Sequence, residues 1–182
     1  MQSGPAEGRR RFLALAAGAL VTTLAAPAIA APRAPSRRAI ALGHLATGEK
    51  LDLVYWADGH YQPAALKRIA WLMRDYRSDR IHPINPKLVD LLAALHQRLR
   101  VSGPLTVVCG YRSPESNALL ASQHEGVATN SFHMAGSSVD LRVPGRSLAA
   151  VRNAALSLRG GGVGYYPHSN FVHVDVGPVR HW

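Results

Sequence analysis

The chain has little of what stabilises a protein by means other than packing. Among 182 residues there is one cysteine, Cys109, so no internal disulfide can form. It ends the apolar run Leu105–Cys109, where a buried inert thiol is expected. No motif around it marks a nucleophile. Aromatic residues make up 7%. No basic patch is interleaved with them and no nucleic-acid module is recognised, which speaks against a nucleic-acid partner. Charged residues are 18% against 47% hydrophobic, a balance that excludes a disordered chain and a membrane bundle. The apolar run Leu13 to Ala26 is about 14 residues, short for a membrane span. There is no internal repeat and no sign of a second domain.

The first thirty residues read as a targeting segment. Arg9-Arg10-Arg11-Phe12-Leu13 precedes the apolar run, and Ala28-Ile29-Ala30 supplies a small-x-small cleavage site. Paired arginines followed by x-Phe-Leu resemble the twin-arginine export signal. The reading is a signal over 1–30, an extended linker over 31–39 and one domain over 40–182, at work in the periplasm with no span left after cleavage. An uncleaved N-terminal anchor is the alternative. Acidic residues are scarce, 11 against 21 basic, for a net charge of +10. Residues 1–30 hold three arginines and one glutamate, so the mature chain carries +8. Such a surface suits an anionic partner; outside the inner membrane that means cell wall or phospholipid headgroup.

The rest alternates short strands and helices. Ile40–Leu45 and Lys50–Trp56 form a predicted hairpin, turning at Thr47-Gly48. A helix starts at Pro63, with Leu66, Ile69, Met73 and Tyr76 on one stripe. Lys67, Arg68, Arg74 and Asp75 fall on a solvated face. Asn85-Pro86 opens a second helix, whose apolar face is Leu88, Leu91, Leu92, Leu95 and Leu99. His82 and His96 read as surface or packing residues. Leu105–Cys109 is a buried strand that delivers Gly110-Tyr111-Arg112-Ser113, and Ser113 caps a helix beginning at Pro114. Residues 121–130 read as a loop, Val139–Val143 as a strand, and Ser147 to about Leu158 as a helix. Arg159-Gly160-Gly161-Gly162 reads as a flexible break before a hairpin of Val163–Tyr166 and Phe171–Val176. The fold class is α+β: helices packed on a small central antiparallel sheet.

Chemistry concentrates in two stretches, Ser131–Asp140 and Phe171–Asp175. His133 and Asp140 are seven apart, enough slack to curve both side chains onto one ion. His173 and Asp175 lie at i and i+2 on a strand and share a face. Zinc takes such nitrogen and oxygen ligands, three from the protein in a catalytic site. On pattern alone, packed or surface histidines explain the set as readily. Arg112 sits at the mouth of a strand–helix turn, where packing on Tyr111 is its plain alternative.

Ser131-x-His133-x-x-Gly136-x-x-x-Asp140, followed by a strand bearing His173, resembles the zinc peptidases that group lysostaphin, the D-Ala-D-Ala metallopeptidases and Sonic hedgehog. More closely it resembles the twin-arginine-exported murein endopeptidases of the YcbK/MepK type. The likeness covers nearly the whole chain, including Arg74-Asp75-Tyr76-Arg77, Gly110–Ser113, Gly161–Asp175 and the ending Gly177–Trp182. The resemblance implies a hedgehog-like or D-Ala-D-Ala-peptidase-like fold. It also implies zinc on His133, Asp140 and His173, with Arg112 near the substrate carbonyl or carboxylate and Ser131 at substrate. Cross-linked peptidoglycan stem peptides, notably those joined through two diaminopimelate residues, are the implied substrate, and a monomer is expected.

Tyr111, Tyr165 and Tyr166 could line the cleft or pack. The chain departs from the pattern in two places. Ser138 replaces a common alanine, and Asn170 stands where the carboxypeptidase branch has its catalytic glutamate. Asp175 is then the candidate base, or else a support for the neighbouring ligand; His168 and His181 are weaker candidates. The lost glutamate also keeps open a non-catalytic, zinc-stabilised peptidoglycan-binding domain.

Overall fold

The computed structural model describes residues 37–123 and 128–182. The expected signal over 1–30 lies outside the described residues, as does most of the expected linker. Strand β1 (Arg37–His44) already begins at Arg37. It turns back into β2 (Lys50–Ala57), and a two-residue β3 (His60–Tyr61) extends that edge. Helix α1 (Pro63–Leu72) and helix α2 (Pro86–Leu99) precede strand β4 (Leu105–Cys109). Helix α3 (Pro114–Gln123) runs into the first part of the expected loop. After it come β5 (Ser138–Arg142), α4 (Leu148–Leu158), β6 (Gly162–Tyr166), β7 (Phe171–Asp175) and β8 (Arg180–His181).

The α+β class holds, and the sheet is larger than the sequence announces. It has eight strands in the order β3-β2-β1-β4-β5-β7-β6-β8. Two pairings, β1 with β4 and β6 with β8, are parallel. The rest are antiparallel.

The helix starts follow local chemistry. The Asn85 side chain accepts from Lys87 N at 3.0 Å and that of Ser147 from Ala150 N at 3.2 Å. Each thereby satisfies an amide that the helix leaves unpaired. The apolar stripe of α2 (Leu88, Leu92, Leu95 and Leu99) is buried against the sheet together with Val151 and Ala155 of α4.

Three expectations fail in instructive ways. Helix α1 stops at Leu72, before Tyr76. Arg74 and Asp75 are not on a solvated face: they are 8% and 1% exposed. Arg74 Nη1 pairs with Glu49 at 2.7 Å and also donates to the Trp71 carbonyl at the helix end. Asp75 accepts from the Ser113 and Arg77 amides at 2.9 and 3.1 Å. Finally, Gly161 and Gly162 are buried, with Gly162 the first residue of β6, so they are not a flexible break.

Strands β5 and β7 carry apolar side chains on one face and polar ones on the other, as period-two alternation requires. Val139, Leu141, Val172 and Val174 enter the core, each at most 1% exposed. On the opposite face Ser138, Asp140, His173 and Asp175 are buried as well. A polar face that is also buried is where the chemistry sits.

Candidate metal centre

Register brings the expected residues together. Asp140 lies directly across from His173 in the β5–β7 pair, Ser138 across from Asp175, and Cys109 across from Asp140 in the β4–β5 pair. His133 arrives from a short 3₁₀ turn, Phe132–Ala135, capped by Ser131, whose Oγ accepts from His133 N at 3.3 Å. Gly136 ends the turn at φ 60, and a Cβ there would fall 2.3 Å from the Pro83 carbonyl oxygen. The close approach and the left-handed backbone both require glycine.

His133 Nε2, Asp140 Oδ1 and His173 Nδ1 converge on one point. Their separations are 3.3 Å between His133 and Asp140, 2.9 Å between His173 and Asp140, and 3.3 Å between the two imidazoles. Ligands about 2.0–2.1 Å from a tetrahedral ion stand about 3.3 Å apart, so the triangle has the size of one tetrahedral face.

The tautomers make the case chemically. His133 Nδ1 donates to the Gly110 carbonyl at 2.7 Å, which leaves a lone pair on Nε2. His173 Nε2 lies 3.3 Å from Asp175 Oδ2; a proton held there leaves a lone pair on Nδ1. The Gly110 carbonyl can only accept, which puts the His133 proton on Nδ1; the His173 ring stands between two carboxylates, Asp140 at Nδ1 and Asp175 at Nε2, and its Nε2–H tautomer is the one that turns a lone pair inward. In those tautomers three electron-rich atoms face one another, an arrangement suited to a cation. Without one, a proton fills the place. Burial works against a charged His133, but the Asp140 carboxylate outweighs it and raises its pKa to about 10. Burial likewise opposes ionised Asp140, and the His133 charge more than offsets this, holding the carboxyl far below the usual range.

Around the triangle stand three further groups. Arg112 is buried, with Nη2 3.9 Å from Asp140 Oδ2 and Nη1 donating to Asn117 Oδ1 at 3.2 Å; among the described residues its Nε has no partner. Asn117 Nδ2 in turn donates to the Ala128 carbonyl at 3.1 Å. Cys109 is buried as expected, yet it is not remote: its sulfur and donor atoms of His133 and Asp140 lie within 4.8 Å of one another. Asp175 has a fully buried side chain. Its Oδ1 accepts from the Gly162 and Gly177 amides at 3.0 and 2.8 Å, and Arg180 pairs with both oxygens. Burial would raise its pKa, but these donors, His173 first among them, lower it instead. Among the described residues it is the one other carboxylate bonded to an expected ligand.

The remaining predicted residues lie further out. Tyr111 is buried and stacks on His82, ring centroids 4.8 Å apart. Tyr166 is 37% exposed, stacks on Phe171, and its hydroxyl accepts from Trp182 Nε1 at 2.7 Å. Asn170 sits in the β6–β7 turn at φ 53, and its carbonyl accepts from Arg142. Sequence reasoning missed Asn117, Arg180 and Trp182. They join the site through turns and strand pairings that no local pattern announces.

Comparison with known proteins agrees over nearly the whole chain. Residues 32–182 match the family described as peptidoglycan L,D-endopeptidase MepK. The peptidoglycan L,D-endopeptidase MepK of Escherichia coli (strain K12) is 41% identical over 175 residues, covering 96% of each chain. The probable peptidoglycan L,D-endopeptidase MepK of Haemophilus influenzae is 39% identical over 178 residues, covering 97% of this chain and 96% of its own.

Proposed function

Because the chain belongs to the peptidoglycan L,D-endopeptidase MepK family, we propose that it hydrolyses peptide cross-links of peptidoglycan with one zinc ion held by His133, Asp140 and His173. The observation that carries the metal assignment is the convergence of two imidazole nitrogens and a carboxylate oxygen within 3.3 Å, with the other nitrogen of each ring facing an acceptor. Two neutral nitrogens and one carboxylate are a donor set suited to zinc. When bound, such an ion supplies Lewis-acid polarisation of the scissile carbonyl and activation of a water.

The chain's own residues do the rest. Asp140 brings the negative charge that favours a divalent ion over a proton. Arg112 offers a preorganised donor to the oxyanion that forms as the amide carbon becomes tetrahedral. Asn117 holds the guanidinium at Nη1, with Nη2 on the side of Asp140. Asp175 acts by holding His173 rather than as the base, since each of its oxygens already accepts from more than one donor. Ser131, Tyr111 and Tyr166 contact the stem peptide, whose carboxylates match the +8 surface. The place of work is the periplasm, reached by the twin-arginine route, and the protein acts as a monomer; among the described residues no helix is long and apolar enough to cross a membrane.

Purified protein is to be incubated with cross-linked muropeptide dimers, with and without a chelator. Loss of dimers joined through two diaminopimelate residues, stopped by the chelator, is the expected result. Dimers left intact by the zinc-loaded protein would refute the peptidase.

A further inference from the structure

The end of the chain reaches into the site. Arg180 lies on β8, which pairs parallel with β6 so that Arg180 stands opposite Gly162. Its guanidinium grips Asp175 with both arms, Nη2 to Oδ2 at 2.7 Å and Nη1 to Oδ1 at 3.2 Å. It lies between two aromatic rings, 5.2 Å from the Phe132 centroid and 5.1 Å from that of Trp182. The Trp182 ring lies 5.4 Å from the His173 ring. Room for the grip comes from Gly162, where a Cβ would stand 2.5 Å from Asp175 Oδ2 and 2.7 Å from Arg180 Nη1.

Simple closure of the sheet edge does not require this arrangement. Asp175 has no solvent exposure at its side chain, and a buried carboxylate is costly to keep ionised without a cation. Yet donors meet both of its oxygens, the Gly162 and Gly177 amides at Oδ1 and the Arg180 guanidinium at both, which leaves no place for a carboxyl proton. Arg180 supplies the counter-charge, and a bidentate guanidinium also fixes the plane of the carboxylate. That plane sets the rotation of the His173 ring.

We propose that Arg180 is a positioning residue for the metal centre, acting through Asp175 to hold His173 with Nδ1 facing His133 and Asp140. This rests on the reading that those three residues hold the ion. Without Arg180 the Asp175 carboxylate loses its counter-charge and its fixed plane, and the His173 ring is free to turn its lone pair away. Zinc affinity falls by about 10- to 100-fold, the usual consequence of losing such a supporting group.

The test is equilibrium zinc binding at neutral pH by competition with a chromophoric chelator. It compares wild type, Arg180→Ala, Arg180→Lys and Gly162→Ala, with circular dichroism and thermal melting of the metal-free forms. Arg98→Ala on the exposed end of α2 removes the same charge away from the site and is the control. Arg180→Ala is expected to show the full loss and Arg180→Lys a smaller one. Gly162→Ala is expected to weaken binding although Arg180 is intact. The atoms its methyl meets are side-chain ends, so the pair moves while the fold stands. Arg98→Ala is expected to match wild type.

Should Arg180→Ala fail to fold, Arg180→Lys and Gly162→Ala carry the comparison. Zinc binding by folded Arg180→Ala, or by Gly162→Ala, within about twofold of wild type would overturn the proposal alone. A wild-type chain that binds no zinc would overturn the ligand assignment on which it rests.

Discussion

At the scale of single residues, the site depends on which atoms carry protons. His133 Nδ1 faces a backbone carbonyl and His173 Nε2 a carboxylate, the arrangement that lets the other nitrogen of each ring act as a ligand. Asp140→Asn keeps the shape and removes the charge; zinc binding should be lost and cleavage should fall below about 1% of wild type, read by metal content and dimer digestion. Arg112→Lys keeps the charge but not the fork. A kcat loss of about 100- to 1,000-fold with little change in KM is expected from steady-state kinetics if Arg112 faces the oxyanion. His133, Asp140 and His173 were legible as candidates through the family resemblance of the stretches that hold them, and the sheet register brings their donor atoms together. The role of Asp175 was not legible, since i and i+2 on a strand places it beside His173 but says nothing of the Gly162, Gly177 and Arg180 donors that claim its oxygens.

At the scale of elements, the alternation of β5 and β7 could be read directly. Val139 and Leu141 against Ser138 and Asp140 show which face is core. What the alternation hides is that the polar face is buried too, by segments distant in sequence. Arg74 and Asp75 illustrate the loss: helical periodicity places them outward, but the helix ends at Leu72, and Asp75 is used to anchor the turn that presents Arg112. Amide and hydroxyl donors from Ser113, Ser116 and Arg77 outweigh burial and lower the Asp75 pKa to about 2. A carboxyl whose folded pKa is depressed stabilises the fold above its unfolded pKa, and the stabilisation is lost as pH falls through the folded value. The part due to Asp75, on the order of 2 kcal/mol, should therefore disappear between about pH 4 and pH 2. Asp75→Asn should lack that component of the acid transition in denaturant melts across the same range. On the core side, Leu95→Ala in α2 removes a fully buried side chain and should cost about 2–5 kcal/mol in urea unfolding, without altering zinc stoichiometry.

At the scale of the whole molecule, the sheet brings together residues that the sequence keeps far apart. The parallel pairings of β1 with β4 and β6 with β8 cannot be read from strand patterns, because each joins strands separated by other elements. They decide which loops meet at the site. Residues from five sequence regions form its surroundings, from Asp75 under the Arg112 turn to Trp182 against His173. On the proposed assignment protons and zinc would compete for the same three atoms, so acid should release the ion and chelation should lower the melting temperature, by linkage of binding to folding. On the same proposed assignment, cleavage runs on an ion held by His133, Asp140 and His173. Its most direct test is a zinc titration of metal-depleted protein, following the cleavage of diaminopimelate-linked dimers. Activity should be absent at the start, rise in proportion to added zinc and level off at about one equivalent per chain, with no recovery in Asp140→Asn. Metal-depleted protein that cleaves at the full rate, or Asp140→Asn that recovers with zinc as wild type does, would contradict it.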